Sequence, residues 1–194
     1  MTRESTTPRA PLSDAADRSA GVPPAVAEAS STESASPRAP LWATLIATFF
    51  GVGRLRPGPG TWGSAATVVL WAALAHVLAP GLRTPVVCAL AILITLIGIP
   101  TATQVARSSG SKDPQFVVID EAAGQLIALI AVPLAWKNFV AGLILFRAFD
   151  IVKPPPVRQL ERLPGGAGIV LDDVAAGIYA LVGMQLLLRF GLLK

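Results

Sequence analysis

Histidine and cysteine are nearly missing from this chain: among 194 residues there is one of each, His76 and Cys88. A single cysteine excludes an intrachain disulfide and a cysteine-ligated metal cluster. Cys88 also sits within an apolar run with no phosphate-binding loop after it, which argues against a cysteine nucleophile. His76 lies near the far end of another apolar stretch, away from the acidic residues described below, and reads as an interfacial or packing residue. Chemistry through a phosphohistidine therefore has no histidine to use. Charge is scarce as well: 14% of residues are charged against 53% hydrophobic, with a mean hydropathy of +0.60. That is too apolar for an ordinary soluble domain and points to an integral membrane protein. The net charge of +4 is small and dispersed, so no nucleic-acid partner is expected.

Residues 1–40 are a different material, rich in Ala, Ser, Thr and Pro with charges of both signs. Such a segment buries too little apolar surface to offset its ordering entropy, and it reads as a disordered tail. It has no compact apolar core of a secretory signal, and Glu4, Asp14, Asp17, Glu28 and Glu33 argue against a transit peptide. Residues 41–194 form the membrane-embedded domain. Five apolar stretches follow one another there, at 62–80, 84–106, 119–136, 138–152 and 169–190. A bilayer-spanning helix takes about 20 residues. Ahead of them, "LWATLIATFF" (41–50) is too short to span and suits an interfacial or re-entrant helix. "GVGRLRPGPGTWGS" (51–64) reads as a Gly/Pro-punctuated loop rather than regular helix. The fold expected is all-α: a polytopic transmembrane bundle of about five spans plus one short N-terminal helix. The sequence sets no oligomeric state.

Threading the spans up and down gathers Arg54, Arg56, Arg107, Lys112, Lys153, Arg158 and Arg162 on one side. Arg83, Lys137, Arg189 and Lys194 fall on the other. The bias makes the first side cytoplasmic. At that side the chain also places Asp120, Glu121, Asp150, Asp172 and Asp173, at the ends of the third, fourth and fifth spans. Arg147 and Lys153 flank Asp150 at i−3 and i+3, on roughly one helical face. A single acid at a helix end is usually an interfacial residue or an ion-pair partner, and one near an N-terminus is favoured by the helix dipole. Asp150, at a C-terminal end, has no such excuse, and two adjacent acid pairs exceed what the dipole explains. Five carboxylates against two bases want a cation, and oxygen ligands without His or Cys suit Mg²⁺. Gly124 and Gly177 would permit close helix approach beside these acids, or serve plain packing. Gly60 and Thr61 in "PGPGTWGS" could present backbone N–H groups and a hydroxyl to a phosphate, or merely begin a helix; "LPGGAG" (163–168) carries the same ambiguity.

Four segments, "GVGRLRPGPGTWGS", "VVIDEAAG" (117–124), "FRAFDIVKPPPVR" (146–158) and "GGAGIVLDDVAAG" (165–177), give the chain a resemblance. Over about residues 45–190 it resembles the phosphatidylglycerophosphatase A family of bacterial membrane lipid phosphatases. The first segment departs from the family pattern, which has its first proline at the position of Arg56 rather than Pro57. The resemblance implies Mg²⁺-dependent hydrolysis of phosphatidylglycerophosphate to phosphatidylglycerol and inorganic phosphate, at the cytoplasmic face of the bacterial inner membrane. It implies a catalytic set of Asp120, Glu121, Arg147, Asp150, Lys153, Asp172 and Asp173. On this reading Asp120, Glu121, Asp172 and Asp173 hold the metal, and Gly60, Thr61, Arg147 and Lys153 bind the phosphate. Asp150 could orient Arg147, ligate metal or act as a base; water could attack directly, the preferred course, or a carboxylate could. The rival is a small ion- or proton-coupled membrane carrier, since intramembrane acids also mark translocation paths.

Overall fold

The computed structural model describes residues 38–193. The expected disordered tail therefore lies, up to residue 37, outside the described residues. Within them the regular structure is entirely helical. The order is α1 (Leu41–Ala47), a single 3₁₀ turn (Val52–Arg54), α2 (Pro59–Val77), α3 (Pro80–Ser109), α4 (Ile119–Ala128), α5 (Trp136–Val152), α6 (Val157–Leu160) and α7 (Gly166–Arg189).

Local chemistry sets most of these limits. Pro59 and Pro80 occupy the first positions of α2 and α3, where a missing N–H costs nothing and φ is already helical. Gly110, with φ 66°, ends α3 in the left-handed conformation that a glycine cap adopts without strain. After α5, Pro154, Pro155 and Pro156 cannot continue a helix, and Lys153 itself turns left-handed at φ 50°. Residues 59–64, expected in a loop, are the first turns of α2; the N-terminal proline overrides the glycines around it.

Two helices, α3 with 30 residues and α7 with 24, are long and apolar enough to cross a membrane. The 119–136 stretch is not one rod. It forms the ten-residue α4, which rises only about 15 Å, half of a roughly 30 Å hydrocarbon core. A turn through Leu129, with Ala131 at φ 58°, then leads to α5. Nearly all of α4 is buried, surrounded by α2, α3, α5 and α7. It is the central post of the bundle, apolar apart from Asp120, Glu121 and Gln125 because nearly every side meets another helix. The outer helices instead turn large apolar residues outward, among them Leu70 of α2, Leu96 of α3, Ile144 of α5 and Val182 of α7. So extended an apolar surface is foreign to a water-facing monomer.

The α4–α7 contact is the most extensive between helices. A Cβ built on Gly177 would strike the Gly124 carbonyl oxygen, and one on Gly124 would meet the Asp173 carbonyl oxygen and the Phe146 ring. Gly124 stands one turn after Asp120, and Gly177 one turn after Asp173. The two missing side chains thus let the backbones approach at the level just below the acids.

Candidate active site

One cleft of about 440 Å³ opens at the end of the bundle where α2 and α4 begin and α5 finishes. Each of Asp120, Glu121, Arg147, Asp150, Lys153, Asp172 and Asp173 lines it. Gly60 does as well, and it has no room for a side chain: a Cβ there would collide with Glu121 Oε1 and come within 3.0 Å of Arg147 Nη1. Thr61 is exposed and absent from the cleft wall, and its N–H donates to the Gly58 carbonyl at 3.0 Å. The "LPGGAG" turn serves packing. The Gly166 N–H donates to Thr103 Oγ1 at 2.8 Å, and a Cβ on Gly166 would strike the Ile99 carbonyl oxygen.

The charged groups sort into two sets. In the first, Asp120, Glu121 and Asp173 each bring one carboxylate oxygen within 4.8 Å of the others. Asp120 and Asp173 are buried. Asp120 Oδ1 and Glu121 Oε2 have no hydrogen-bond partner among the described residues. Buried carboxylate oxygens left bare are costly, and hard oxygen donors without nitrogen or sulfur fit a divalent cation such as Mg²⁺.

In the second set the bases are held by acids. Lys153 Nζ donates to Asp172 Oδ2 at 2.8 Å and lies 3.2 Å from Glu161 Oε2. Asp172 is held in turn by the Asp173 N–H, which donates to Oδ1 at 3.0 Å. Its two oxygens are therefore engaged, one by Lys153 and one by backbone, unlike Asp120 Oδ1 and Glu121 Oε2. Arg147 Nη1 lies 2.7 Å from Asp150 Oδ2 and 3.7 Å from Glu121 Oε1. These are ion-pair contacts off the N–H axes: Nε and Nη1 make no directed hydrogen bond among the described residues and retain donors for a ligand.

Two members of the site carried no signal in the sequence. Asp113, in the loop between α3 and α4, lines the same cleft, and burial pushes its carboxyl above the ordinary range against the pull of Lys153. Glu161 follows α6 and reaches Lys153 across the chain reversal. Neither lies at the end of an apolar stretch, the only pattern by which the other acids stand out. Replacing the two partners of Lys153 separates their roles. Asp172→Asn should lower kcat about 100-fold, as for a lost charge-positioning contact in a desolvated site. Glu161→Gln, whose side chain is 44% exposed, should cost no more than about threefold, in line with the roughly 0–1 kcal/mol of exposed pairs. Steady-state kinetics on the two variants checks the ranking.

The family model for phosphatidylglycerophosphatase A matches residues 45–188, a span that includes every charged group of the cleft. The chain belongs to the phosphatidylglycerophosphatase A family. It is accordingly an enzyme, a phosphatase. Two relatives carry that family's name, from Haemophilus influenzae (39% identical over 140 residues, 71% of this chain and 83% of the relative) and Escherichia coli (36% over 136, 69% and 76%). A Bacteroides thetaiotaomicron protein, 41% identical over 141 residues (71% of this chain, 88% of the relative), is provisionally named a phosphatidylinositol-3-phosphatase. No solved structure matches the chain. For a phosphatidylglycerophosphatase A family member, the cleft has the parts phosphoryl chemistry asks for: anionic ligands for a cation, and fixed bases for phosphate oxygens.

Proposed function

We propose that this protein is an integral membrane, Mg²⁺-dependent phosphatase that hydrolyses phosphatidylglycerophosphate to phosphatidylglycerol and inorganic phosphate at the cytoplasmic face of the bacterial inner membrane. One observation carries the reading: three clustered acids, two of them with bare buried oxygens, adjoin two acid-anchored bases in a single cleft, in a chain of this family. The outward apolar residues and two long apolar helices support the membrane placement, and the cationic loops at the cleft end support its orientation. About five crossings remain the proposed topology, the third made by α4 together with the 129–135 segment that follows it.

Asp120, Glu121 and Asp173 would hold the ion, with Asp172 assigned to Lys153 instead. When bound, a divalent ion supplies Lewis-acid polarisation of a phosphoryl oxygen and a more acidic water. Arg147 and Lys153 take the equatorial phosphate oxygens and offset the charge that grows on them. Asp150, 2.7 Å from Arg147, orients the guanidinium. Gly60 keeps the cleft wall flat beside Glu121, so that phosphate can approach the acids. Water adds to phosphorus, the P–O bond to the glycerol carbon chain breaks, and the leaving alkoxide takes a proton.

Acids gathered at one end of the bundle do not favour a carrier, whose path would need them through its depth. Phosphate release by the purified protein in detergent is the test, with phosphatidylglycerophosphate, phosphatidic acid and phosphatidylinositol 3-phosphate compared with and without Mg²⁺. Fastest turnover of the first, abolished by chelation, is expected; fastest turnover of the inositol lipid would replace the substrate. Arg147→Lys should lower kcat by about 10²-fold with little change in KM, because one ammonium cannot hold Asp150 and two phosphate oxygens at once.

A further inference from the structure

Beside the catalytic cleft lies a second and larger concavity, of about 910 Å³, that the hydrolytic chemistry does not use. It runs between α1, the 51–58 loop and the C-terminal end of α3. Pro59, Asp113 and Gln115 line both spaces, so the two are adjoining chambers separated by one wall. Their charges are opposed. The cleft holds an excess of carboxylates, whereas the groove has Arg38, Arg54 and Arg56 against Asp113. Its far side is apolar: Leu41 lines the groove at 82% exposure, and Trp42 and Leu45 of the same short helix are exposed as well.

A lipid bearing a terminal phosphate monoester on a glycerol headgroup has three parts in sequence. These are acyl chains, a singly charged phosphodiester and, beyond a three-carbon spacer, the scissile monoester. The order of surfaces in the structure is the same: apolar α1, arginine groove, acidic cleft. We propose that Arg54 and Arg56 bind the phosphodiester of the substrate, so that the groove is a specificity subsite selecting lipids with two phosphates over lipids with one. Guanidinium forks suit a phosphodiester's two free oxygens, and the groove's modest positive excess suits one negative charge. Both arginines are exposed and hold no ion pair with another described residue, so a ligand displaces nothing to reach them. The proposal rests on the reading of the substrate as a glycerophosphate-bearing lipid, and it adds the means by which that lipid is recognised.

The test uses the full chain in neutral detergent micelles and the double variant Arg54→Ala/Arg56→Ala. The ratio of kcat/KM for phosphatidylglycerophosphate to that for phosphatidic acid should fall about tenfold or more, through KM, the size expected for a lost charge-assisted contact. Arg54→Lys/Arg56→Lys should recover only part of it, because the charge returns without the bidentate fork. Equal losses on both lipids would mean that the arginines merely gather anionic lipid or maintain structure, and would overturn the proposal, as would no change on either. A binding arm separates this from the catalytic assignment. Phosphatidylglycerol has the diester and no monoester, and its affinity should drop about tenfold in the alanine variant whether or not the wild type turns over any substrate. Unchanged affinity would overturn the subsite; absent turnover with arginine-dependent affinity would leave it standing and remove only the assigned reaction.

Discussion

Asp173→Asn should inactivate the enzyme and at the same time make the metal-free protein more stable. The two effects have one cause. Asp173 is buried with one oxygen within 4.8 Å of oxygens from both Asp120 and Glu121. In the absence of a cation, carboxylates at this spacing repel, and Asp120 Oδ1 and Glu121 Oε2 lose hydration that no hydrogen bond among the described residues replaces. An amide of the same shape removes one charge and part of that cost. The expected gain is about 1 kcal/mol, which appears as a rise of roughly 2–4 °C in Tm for a chain of this size. Activity should fall by about 10²–10³-fold, the size seen when a fixed electrostatic partner of a transition state is removed. A thermal shift with Mg²⁺ completes the comparison: ligand binding raises the Tm of wild type by mass action and should leave that of Asp173→Asn nearly unchanged. A variant less stable than wild type without metal, yet still stabilised by Mg²⁺, would show that Asp173 is a structural group.

Gly177→Val should damage stability and catalysis together, although Gly177 does not line the cleft. Its absent side chain is the space that the Gly124 backbone occupies; the Gly124 Cα lies 2.9 Å from where a Cβ would be built. Backbone cannot rotate aside as a side chain can, so α4 and α7 must separate. Overpacking of this kind costs about 1–3 kcal/mol or more. The separation falls one helical turn from Asp120 and Asp173, on the two helices that bring those acids together. A displacement of about 1 Å between cooperating groups is worth as much as 10² in rate. Gly183→Ala on the same helix is the control. Its Cβ would meet the end of a flexible side chain, Leu145 Cδ1, at 3.3 Å, and both Tm and kcat should stay close to wild type. Loss of activity in Gly177→Val at unchanged Tm would point away from helix spacing as the cause.

The sequence by itself determined that the fold is helical, that its surface is apolar, and seven of the charged residues that line the cleft. Those conclusions depend on composition and on i, i+3 and i+4 spacing, which are local. Arg147, Asp150 and Lys153 are legible from one turn of α5, and the acid pairs from their position at the ends of apolar runs. Only the tertiary structure decided how the charges are shared. Asp172 and Asp173 are neighbours in sequence, yet successive positions on a helix point about 100° apart, so one faces Lys153 and the other faces Asp120 and Glu121. Asp113 and Glu161 enter the site through chain reversals that no periodicity records. The length of α4 was likewise hidden, because an apolar run reads the same whether lipid or protein surrounds it. What ended that helix at Ala128 was a turn packed among its neighbours, and burial by other helices is a property of the assembled fold rather than of any segment in it.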